Sequence, residues 1–125
     1  MKALDDLIEA ARAVQGEFWM SEAFRGGAVG AAILTRAGNV YTGISLEMAC
    51  GIGFCAEHSA IAEMLKDRET QIEAMVAVTA EGVIPPCGRC RELVLQVNPK
   101  NEATLVGVND RKTMRMSELL PHRWY

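Results

Sequence analysis

The sequence predicts an α/β fold, a three-layer α/β/α domain built around a mixed β-sheet. Two observations predict it. Segments with the apolar periodicity of helices alternate along the chain with short apolar segments typical of strands. The chain also has 125 residues, 50% of them hydrophobic, which is enough to bury the core of such a domain. We expect a single domain that spans residues 1–125, because no linker, internal repeat or low-complexity tract divides the sequence.

The first predicted elements are an amphipathic helix and a β-hairpin. The helix ends at Gly16, and its apolar residues recur three or four positions apart, at Leu4, Leu7, Ile8, Ala11 and Val14. In the hairpin, residues 28–34 are small and apolar, and residues 40–44 are rich in β-branched and aromatic side chains. A turn at residues 36–39 joins the two strands.

Helices and strands alternate through the rest of the chain. A helix over residues 56–66 is predicted because its apolar residues share one face. The later elements are a buried strand over 74–80, a helix over 88–97, a strand over 103–108 and a short helical turn before Pro121. Strands that alternate with helices in this order predict the layered architecture.

Composition excludes several classes of function. The net charge is −3 and no run of Lys or Arg forms a basic stripe, so we expect no polymeric nucleic acid as a partner. The N-terminal residues lack the pattern of a signal peptide and no apolar stretch approaches 18 residues, so we expect a soluble cytoplasmic protein without a membrane partner. Without a secretory signal, the four cysteines indicate metal binding rather than disulfides.

Two cysteine clusters indicate the chemistry. Cys55 and Glu57 form the first cluster, and Cys87 and Cys90 follow Pro85 about thirty residues later. Thiolates are ligands that zinc prefers, and a catalytic zinc ion keeps three protein ligands and one open position. The sequence therefore predicts a Zn²⁺ site formed by the three cysteines. Glu57, too close to Cys55 to be a comfortable fourth ligand, is predicted to transfer protons.

The predicted helices would help to assemble this site. If Cys55 and Cys87 lie at helix N-termini, free N–H groups and the helix dipoles favour their thiolate forms. Cys90 follows one turn later and can face the same ion. Three thiolates carry excess negative charge, so we expect cationic or N–H groups nearby, for which Arg89, Arg91 and His58 are available.

Both clusters resemble the motifs of the cytidine deaminase superfamily, in its branch with three cysteine ligands. The resemblance covers nearly the whole chain, and beyond the clusters it includes residues 29–32, 43–47, 60–61 and 118–121. It implies a five-stranded sheet and zinc-dependent hydrolysis of a cytosine-type nucleoside, cytidine or deoxycytidine, to the uracil-type product and ammonia, as in pyrimidine salvage. It also implies a homo-oligomer, usually a homotetramer and alternatively a dimer, whose active sites borrow residues from neighbouring subunits.

The resemblance further implies how substrate is held. The Ala56 N–H would contact the base carbonyl oxygen, the Pro85 carbonyl would lie near the leaving amine, and Glu47 with Ser45 would hold the sugar. The chain also departs from the family pattern. Ser45 replaces an asparagine, Gly27 replaces a phenylalanine, and His58 replaces an arginine that partners the zinc thiolates.

These departures leave alternatives open. The residues of the second cluster, Cys-Gly-Arg-Cys, also resemble those of blasticidin S deaminase, as does the short length of the chain. The substrate could therefore be that cytosine-bearing antibiotic or another small cytosine compound. A non-enzymatic alternative is a structural zinc module in which His58 or Cys50 completes four ligands. The simpler expectation for Cys50, outside the motif, is a buried thiol.

Overall fold

The structure, a computed structural model, describes residues 2–125. Its helices are α1 (Lys2–Val14), α2 (Ala56–Lys66), α3 (Gly88–Val97) and α4 (Met116–Leu119). Its strands are β1 (Phe18–Ser21), β2 (Phe24–Thr35), β3 (Val40–Met48), β4 (Ile72–Thr79), β5 (Gly82–Ile84), β6 (Leu105–Asn109) and β7 (Lys112–Arg115). Short 3₁₀ turns cover Ala49–Gly51 and Pro99–Ala103. Over residues 2–125, no helix combines the length and the apolar character needed to cross a membrane.

All seven strands belong to one mixed sheet, whereas the family resemblance implied five. Counted across the sheet, they nevertheless fill only five positions, because two of the positions each hold two strands end to end. Strand β3 pairs with β2 along most of its length, while β1 and β4 pair with successive parts of the opposite side of β2. In the same way β5 and β6 pair with successive parts of β4, and β7 follows β6. The β4–β6 pair is parallel and the other pairs are antiparallel, which confirms the mixed sheet.

Helices cover both faces of the sheet, as the three-layer prediction requires. Alternate residues of β4 point to opposite faces because a strand has a side-chain period of two. Ala74, Val76 and Val78 pack in the same cluster as the apolar residues of α1. Met75 instead packs with Ile61 and other residues of α2 and α3. The sheet therefore separates α1 from α2 and α3, and the latter two helices lie side by side on one face.

Helix positions match the predictions closely, and strand positions less so. The structure confirms helices over residues 2–14, 56–66 and 88–97. The predicted hairpin strands are real but longer, since β2 begins at Phe24 and β3 ends at Met48. The predicted strand over 103–108 begins only at Leu105, because residues 99–103 form a 3₁₀ turn.

Candidate active site

The two cysteine clusters lie at the N-termini of the neighbouring helices α2 and α3. Cys55 is the residue that precedes the first turn of α2, and Cys87 has the same place in α3. Cys90 lies in the first turn of α3 and is fully buried. The first N–H groups of a helix have no partner within the helix and carry its positive end, so both helices present a favourable environment to thiolates.

The three sulfur atoms converge. The Sγ atoms of Cys55 and Cys87 lie 3.5 Å apart, and those of Cys87 and Cys90 lie 3.6 Å apart. Two sulfurs bound to one tetrahedral zinc ion at about 2.3 Å are about 3.8 Å from each other. The donor set therefore fits zinc in both chemistry and spacing.

His58 adds a nitrogen to this group. Its Nδ1 atom lies 3.5 Å from the Cys90 sulfur, and donor atoms of Cys55, His58 and Cys90 all lie within 4.8 Å of one another. Cys55 and Cys90 are thus shared by two possible ligand triplets, completed either by Cys87 or by His58. Proximity to the Cys90 sulfur also suits a hydrogen bond from the imidazole to a thiolate.

The thiols affect each other's protonation. Burial, followed by the Glu57 charge and contacts with Cys55 and Cys87, raises the pKa of Cys90, and burial with the Cys87 contact raises the pKa of Cys55. Burial also opposes ionisation of Cys87, but backbone N–H groups of α3 and the neighbouring thiols outweigh it and lower its pKa. A bound cation offsets such costs and deprotonates its thiol ligands. The cluster is therefore a site whose charge balance suits a metal ion.

Glu57 lies in the first turn of α2 and is 4% exposed. Burial raises the pKa of its carboxyl, although its own backbone N–H and the Cys90 thiol partly oppose the shift. A carboxyl with a raised pKa takes up and releases protons closer to neutral pH. Its position beside the sulfur cluster is therefore suited to proton transfer.

A pocket of about 440 Å³ opens onto this cluster. That volume lies in the range of small-molecule sites. Most of the wall is apolar, and the remaining side chains are the cysteines and a few charged or polar groups. The lining residues are Val29, Ser45, Leu46, Glu47, Gly53, Phe54, Cys55, Ala56, Glu57, Ile84, Pro85, Cys87 and Arg89.

Ser45 and Glu47, both on β3, supply the polar side chains of the pocket away from the helix N-termini. The Val29 N–H donates to Ser45 Oγ over 3.0 Å, and Ser45 Oγ donates to Glu47 Oε1 over 2.7 Å. The second carboxylate oxygen, Glu47 Oε2, is buried and has no hydrogen-bond partner within residues 2–125. Among these residues, Glu47 therefore keeps one carboxylate oxygen without a donor, behind the wall of the pocket.

The structure brings most of the predicted site residues to this pocket. Cys90 and His58 do not line its wall but lie against the same sulfur cluster. Two further residues also differ from the expectation. Cys50 is exposed rather than buried, because the 3₁₀ turn that holds it lies at the surface, with Cys50 at φ +63°. Arg91, offered as a cation for the thiolates, instead donates from Nε to the Pro86 carbonyl over 2.9 Å and from Nη1 to the Leu119 carbonyl over 3.0 Å. Arg91 thus links the loop of the second cluster to the end of α4.

Gly27 also has a structural explanation. It adopts φ +81°, and a Cβ atom there would collide with the Gly16 carbonyl oxygen. An aromatic side chain at this position is therefore excluded by the backbone itself.

Sequence reasoning missed Phe54, which lines the pocket and precedes Cys55. Its N–H and carbonyl each form a 3.0 Å hydrogen bond with the backbone of Leu46, which fixes the segment that enters α2 against β3. A large apolar residue before the first ligand is the only signal that the sequence carries, and it does not distinguish a pocket wall from the core.

Comparisons with known proteins agree with this geometry. Residues 1–106 match the family described as the cytidine and deoxycytidylate deaminase zinc-binding region. A cytidine deaminase of Halalkalibacterium halodurans is 31% identical over 117 residues, which are 90% of this chain and 86% of that protein. The crystal structure of cytidine deaminase from Mycobacterium tuberculosis superposes with a TM-score of 0.80 at 27% identity, covering 97% of this chain and 96% of the other. A blasticidin-S deaminase of Bacillus cereus is 32% identical over 81 residues, 57% of this chain and 58% of that protein.

Proposed function

The chain belongs to the cytidine and deoxycytidylate deaminase family and is a zinc-dependent aminohydrolase, and from that premise we propose that it deaminates a cytosine nucleoside, cytidine or deoxycytidine. The observation that carries the proposal is the layout of one pocket. Cys55, Cys87 and the buried Glu57 line it, and Glu47 lies on β3 in the same pocket. The Cys90 sulfur lies 3.6 Å from that of Cys87. Such a pocket suits a small molecule with a reacting base at one end and a polar group at the other.

The proposed ligands of the zinc ion are Cys55, Cys87 and Cys90. The sulfur separations of 3.5 and 3.6 Å support this set. His58 then donates to the Cys90 sulfur, and Arg89, which lines the pocket, offsets the negative charge of the thiolates. Since the chain is an aminohydrolase, a purely structural zinc module is set aside. When bound, zinc activates water for attack on the ring carbon that bears the amino group.

The chain's own residues account for the remaining steps. Glu57 accepts a proton as water adds to the ring carbon, and it passes protons to the ring nitrogen and to the departing amine. The carbon–nitrogen bond breaks, a carbonyl forms, and the two protons of water end on the ring nitrogen and on ammonia. The Ala56 N–H at the start of α2 is proposed to donate to the base carbonyl oxygen. The Pro85 carbonyl accepts from the amine.

A second candidate substrate is blasticidin S. Similarity to the Bacillus cereus enzyme favours it, as do Ser45 and Gly27, two of the positions where this chain departs from the pattern of nucleoside deaminases. The similarity covers little more than half of each protein, and Glu47 is retained, so a nucleoside is the first proposal.

The test is turnover by the zinc-loaded protein, followed by absorbance, on cytidine, deoxycytidine, cytosine and blasticidin S. We expect both nucleosides to be deaminated. Failure on both nucleosides with turnover of blasticidin S would replace the first proposal by the second.

The Glu57→Ala variant should keep its zinc and lose turnover by a factor of about 10² to 10⁴, because general acid–base catalysis contributes that much. Glu63→Ala is a matched control, since Glu63 lies on the same helix but is half exposed and pairs with Lys66 at the surface. Near-normal turnover by Glu57→Ala, with zinc content verified by atomic absorption, would exclude Glu57 as the proton carrier.

We further propose that residues 1–125 act as one catalytic domain in a homotetramer, or alternatively a dimer. Strand β1 supports assembly, because Phe18, Trp19 and Met20 are 47%, 62% and 46% exposed and such apolar patches mark interfaces. A monomer in sedimentation equilibrium would contradict it.

We also propose a cytoplasmic location, because reduced zinc-binding thiols and nucleoside salvage both suit the cytoplasm. Cell fractionation can test it.

A further inference from the structure

The three cysteines of the sulfur cluster differ in how far solvent reaches them. Cys87 is exposed, Cys55 is partly exposed and Cys90 is fully buried. Cys55 and Cys87 also line the pocket, whereas Cys90 is not part of its wall. A small reagent that enters the pocket therefore meets the sulfur atoms of Cys55 and Cys87 first.

These two sulfurs are also close enough to react with each other. They lie 3.5 Å apart, and a disulfide bond needs about 2.05 Å. Both residues precede the first turn of their helices and have extended backbone, with ψ 152° at Cys55 and ψ 169° at Cys87. Side-chain rotation and a small shift of the two loops can therefore close the gap without unwinding either helix.

Cys90 is a poorer partner for Cys87, although its sulfur lies only 3.6 Å away. It belongs to the first turn of α3 and is fully buried. Its sulfur also contacts His58 Nδ1 at 3.5 Å. Close packing around a buried side chain resists the movement that a new bond would need. The geometry therefore favours a bond between Cys55 and Cys87.

We propose that Cys55 and Cys87 form a reversible disulfide that takes the place of the zinc ion, so that the metal site is also an oxidation site. The inference rests on the proposed zinc ligands and not on the identity of the substrate. The thiolate is the form that binds a metal, so the disulfide removes two of the three proposed ligands. Disulfides of this transient kind are the ones that cytosolic proteins use to sense oxidants.

The oxidant is a hydroperoxide, of which hydrogen peroxide is the simplest. The Cys87 sulfur attacks one peroxide oxygen and the O–O bond breaks, which leaves a sulfenic acid on Cys87 and one water. The Cys55 sulfur then attacks the Cys87 sulfur, the S–O bond breaks, and the oxygen leaves as a second water. The two sulfurs together lose two electrons, which reduce the peroxide. Two protons, from the thiols or from solvent, complete the two waters.

The first experiment maps the bond in the zinc-loaded full chain. The protein is treated with hydrogen peroxide beside a zinc-sensitive dye, its remaining thiols are alkylated in urea, and its peptides are identified by mass spectrometry. We expect zinc release to accompany a peptide pair joined through Cys55 and Cys87, while Cys90 is alkylated. Dithiothreitol followed by Zn²⁺ should restore the zinc content.

The Cys50→Ser variant is the control for this experiment, because it removes the exposed thiol outside the cluster. The same bond should form in the variant and in the unmodified chain. A bond between Cys87 and Cys90, zinc release without a disulfide, or no reaction with a large excess of peroxide would overturn the inference.

The second experiment tests whether the bond holds the two helices as the metal would. The disulfide joins the start of α2 to the start of α3 and closes the long loop between them. The oxidised zinc-free protein should therefore have a Tm on the order of 10 °C above that of the reduced zinc-free protein. Cys90→Ser, which keeps both partners, should show the same gain, and Cys55→Ser should show none. Equal Tm values for the oxidised and reduced unmodified chain would overturn the inference.

Neither experiment measures deamination, so failure of the proposed function leaves both tests intact. A chain that turns over no cytosine nucleoside but forms the bond between Cys55 and Cys87 supports the inference. An active deaminase whose two cysteines do not pair under peroxide overturns it.

Discussion

Asn101 is a fully buried amide that joins three parts of the fold. Its side-chain oxygen accepts from the Ile72 N–H over 2.8 Å, and its nitrogen donates to the carbonyls of Thr70 and Val94 over 3.0 and 3.1 Å. These bonds attach the 3₁₀ turn after α3 to the start of β4 and to α3 itself. Asn101 therefore fixes the crossover that carries the second cysteine cluster.

Replacing Asn101 by Ala should destabilise the protein strongly. Three backbone groups lose their partner, and a buried unsatisfied group costs about 1–3 kcal/mol. We expect the free energy of unfolding, measured by urea denaturation, to fall by about 2–4 kcal/mol. The exposed Asn39, which donates to Glu69 at the surface, provides the control. Asn39→Ala should cost less than about 0.5 kcal/mol, and equal losses for the two variants would contradict the assigned role.

The site residues differ in how far the sequence could predict them. The cysteines and Glu57 follow local motifs at helix starts, so spacing alone was enough to predict that they meet. The family resemblance placed Ser45 at the substrate, whereas Phe54 could be assigned to the pocket only through its backbone bonds to Leu46. Such contacts join residues distant in sequence, and no local pattern encodes them.

Among the elements, helices were predictable and short strands were not. Helices α1, α2 and α3 have 13, 11 and 10 residues, long enough for apolar periodicity to appear. Strands β1, β5 and β7 have four, three and four residues, too few to show alternation. All four positions of β1 are exposed, so its apolar residues carry no signal of a buried face.

Helix α2 is placed by a glycine in the neighbouring strand. A Cβ atom at Gly43 of β3 would lie 2.6 Å from the Cβ of Ser59 and 2.7 Å from the carbonyl oxygen of Ala56, and it would collide with the Ala60 nitrogen. The helix backbone thus crosses β3 where no side chain intervenes. The close approach positions the turn of α2 that carries Glu57 and follows Cys55.

Gly43→Ala should therefore displace α2. Overpacking of this kind costs about 1–3 kcal/mol, and we also expect weaker zinc binding in a competition assay with a chelating dye. Gly16→Ala is the control, because a Cβ there meets nothing within 4 Å. Loss of stability in Gly43→Ala with unchanged zinc affinity would show that the contact supports the core but not the site.

At the scale of the whole molecule, the metal site is a junction between two helices that start from different loops. Cys55 enters α2 after β3, and the second cluster enters α3 after β5. Both helices lie on one face of the sheet, so their N-termini meet only when the sheet is complete. The alternation of helices and strands along the sequence predicted this layering. It did not predict that seven strands share five positions in the sheet, because that depends on strand pairing, which only the tertiary structure shows.

Because the site joins α2 to α3, zinc should stabilise the whole fold. A ligand that binds only the native state contributes about 4 kcal/mol when its free concentration is a thousand times its Kd. Removing zinc with a chelator should lower Tm by on the order of 15 °C in a domain of this size, and added Zn²⁺ should restore it. Cys90→Ser should bind less zinc and show a smaller chelator effect, while Cys50→Ser, at an exposed position outside the cluster, should behave as the unmodified protein does. A Tm that does not respond to chelation, with zinc loss verified by atomic absorption, would mean that the helices hold their places without the metal.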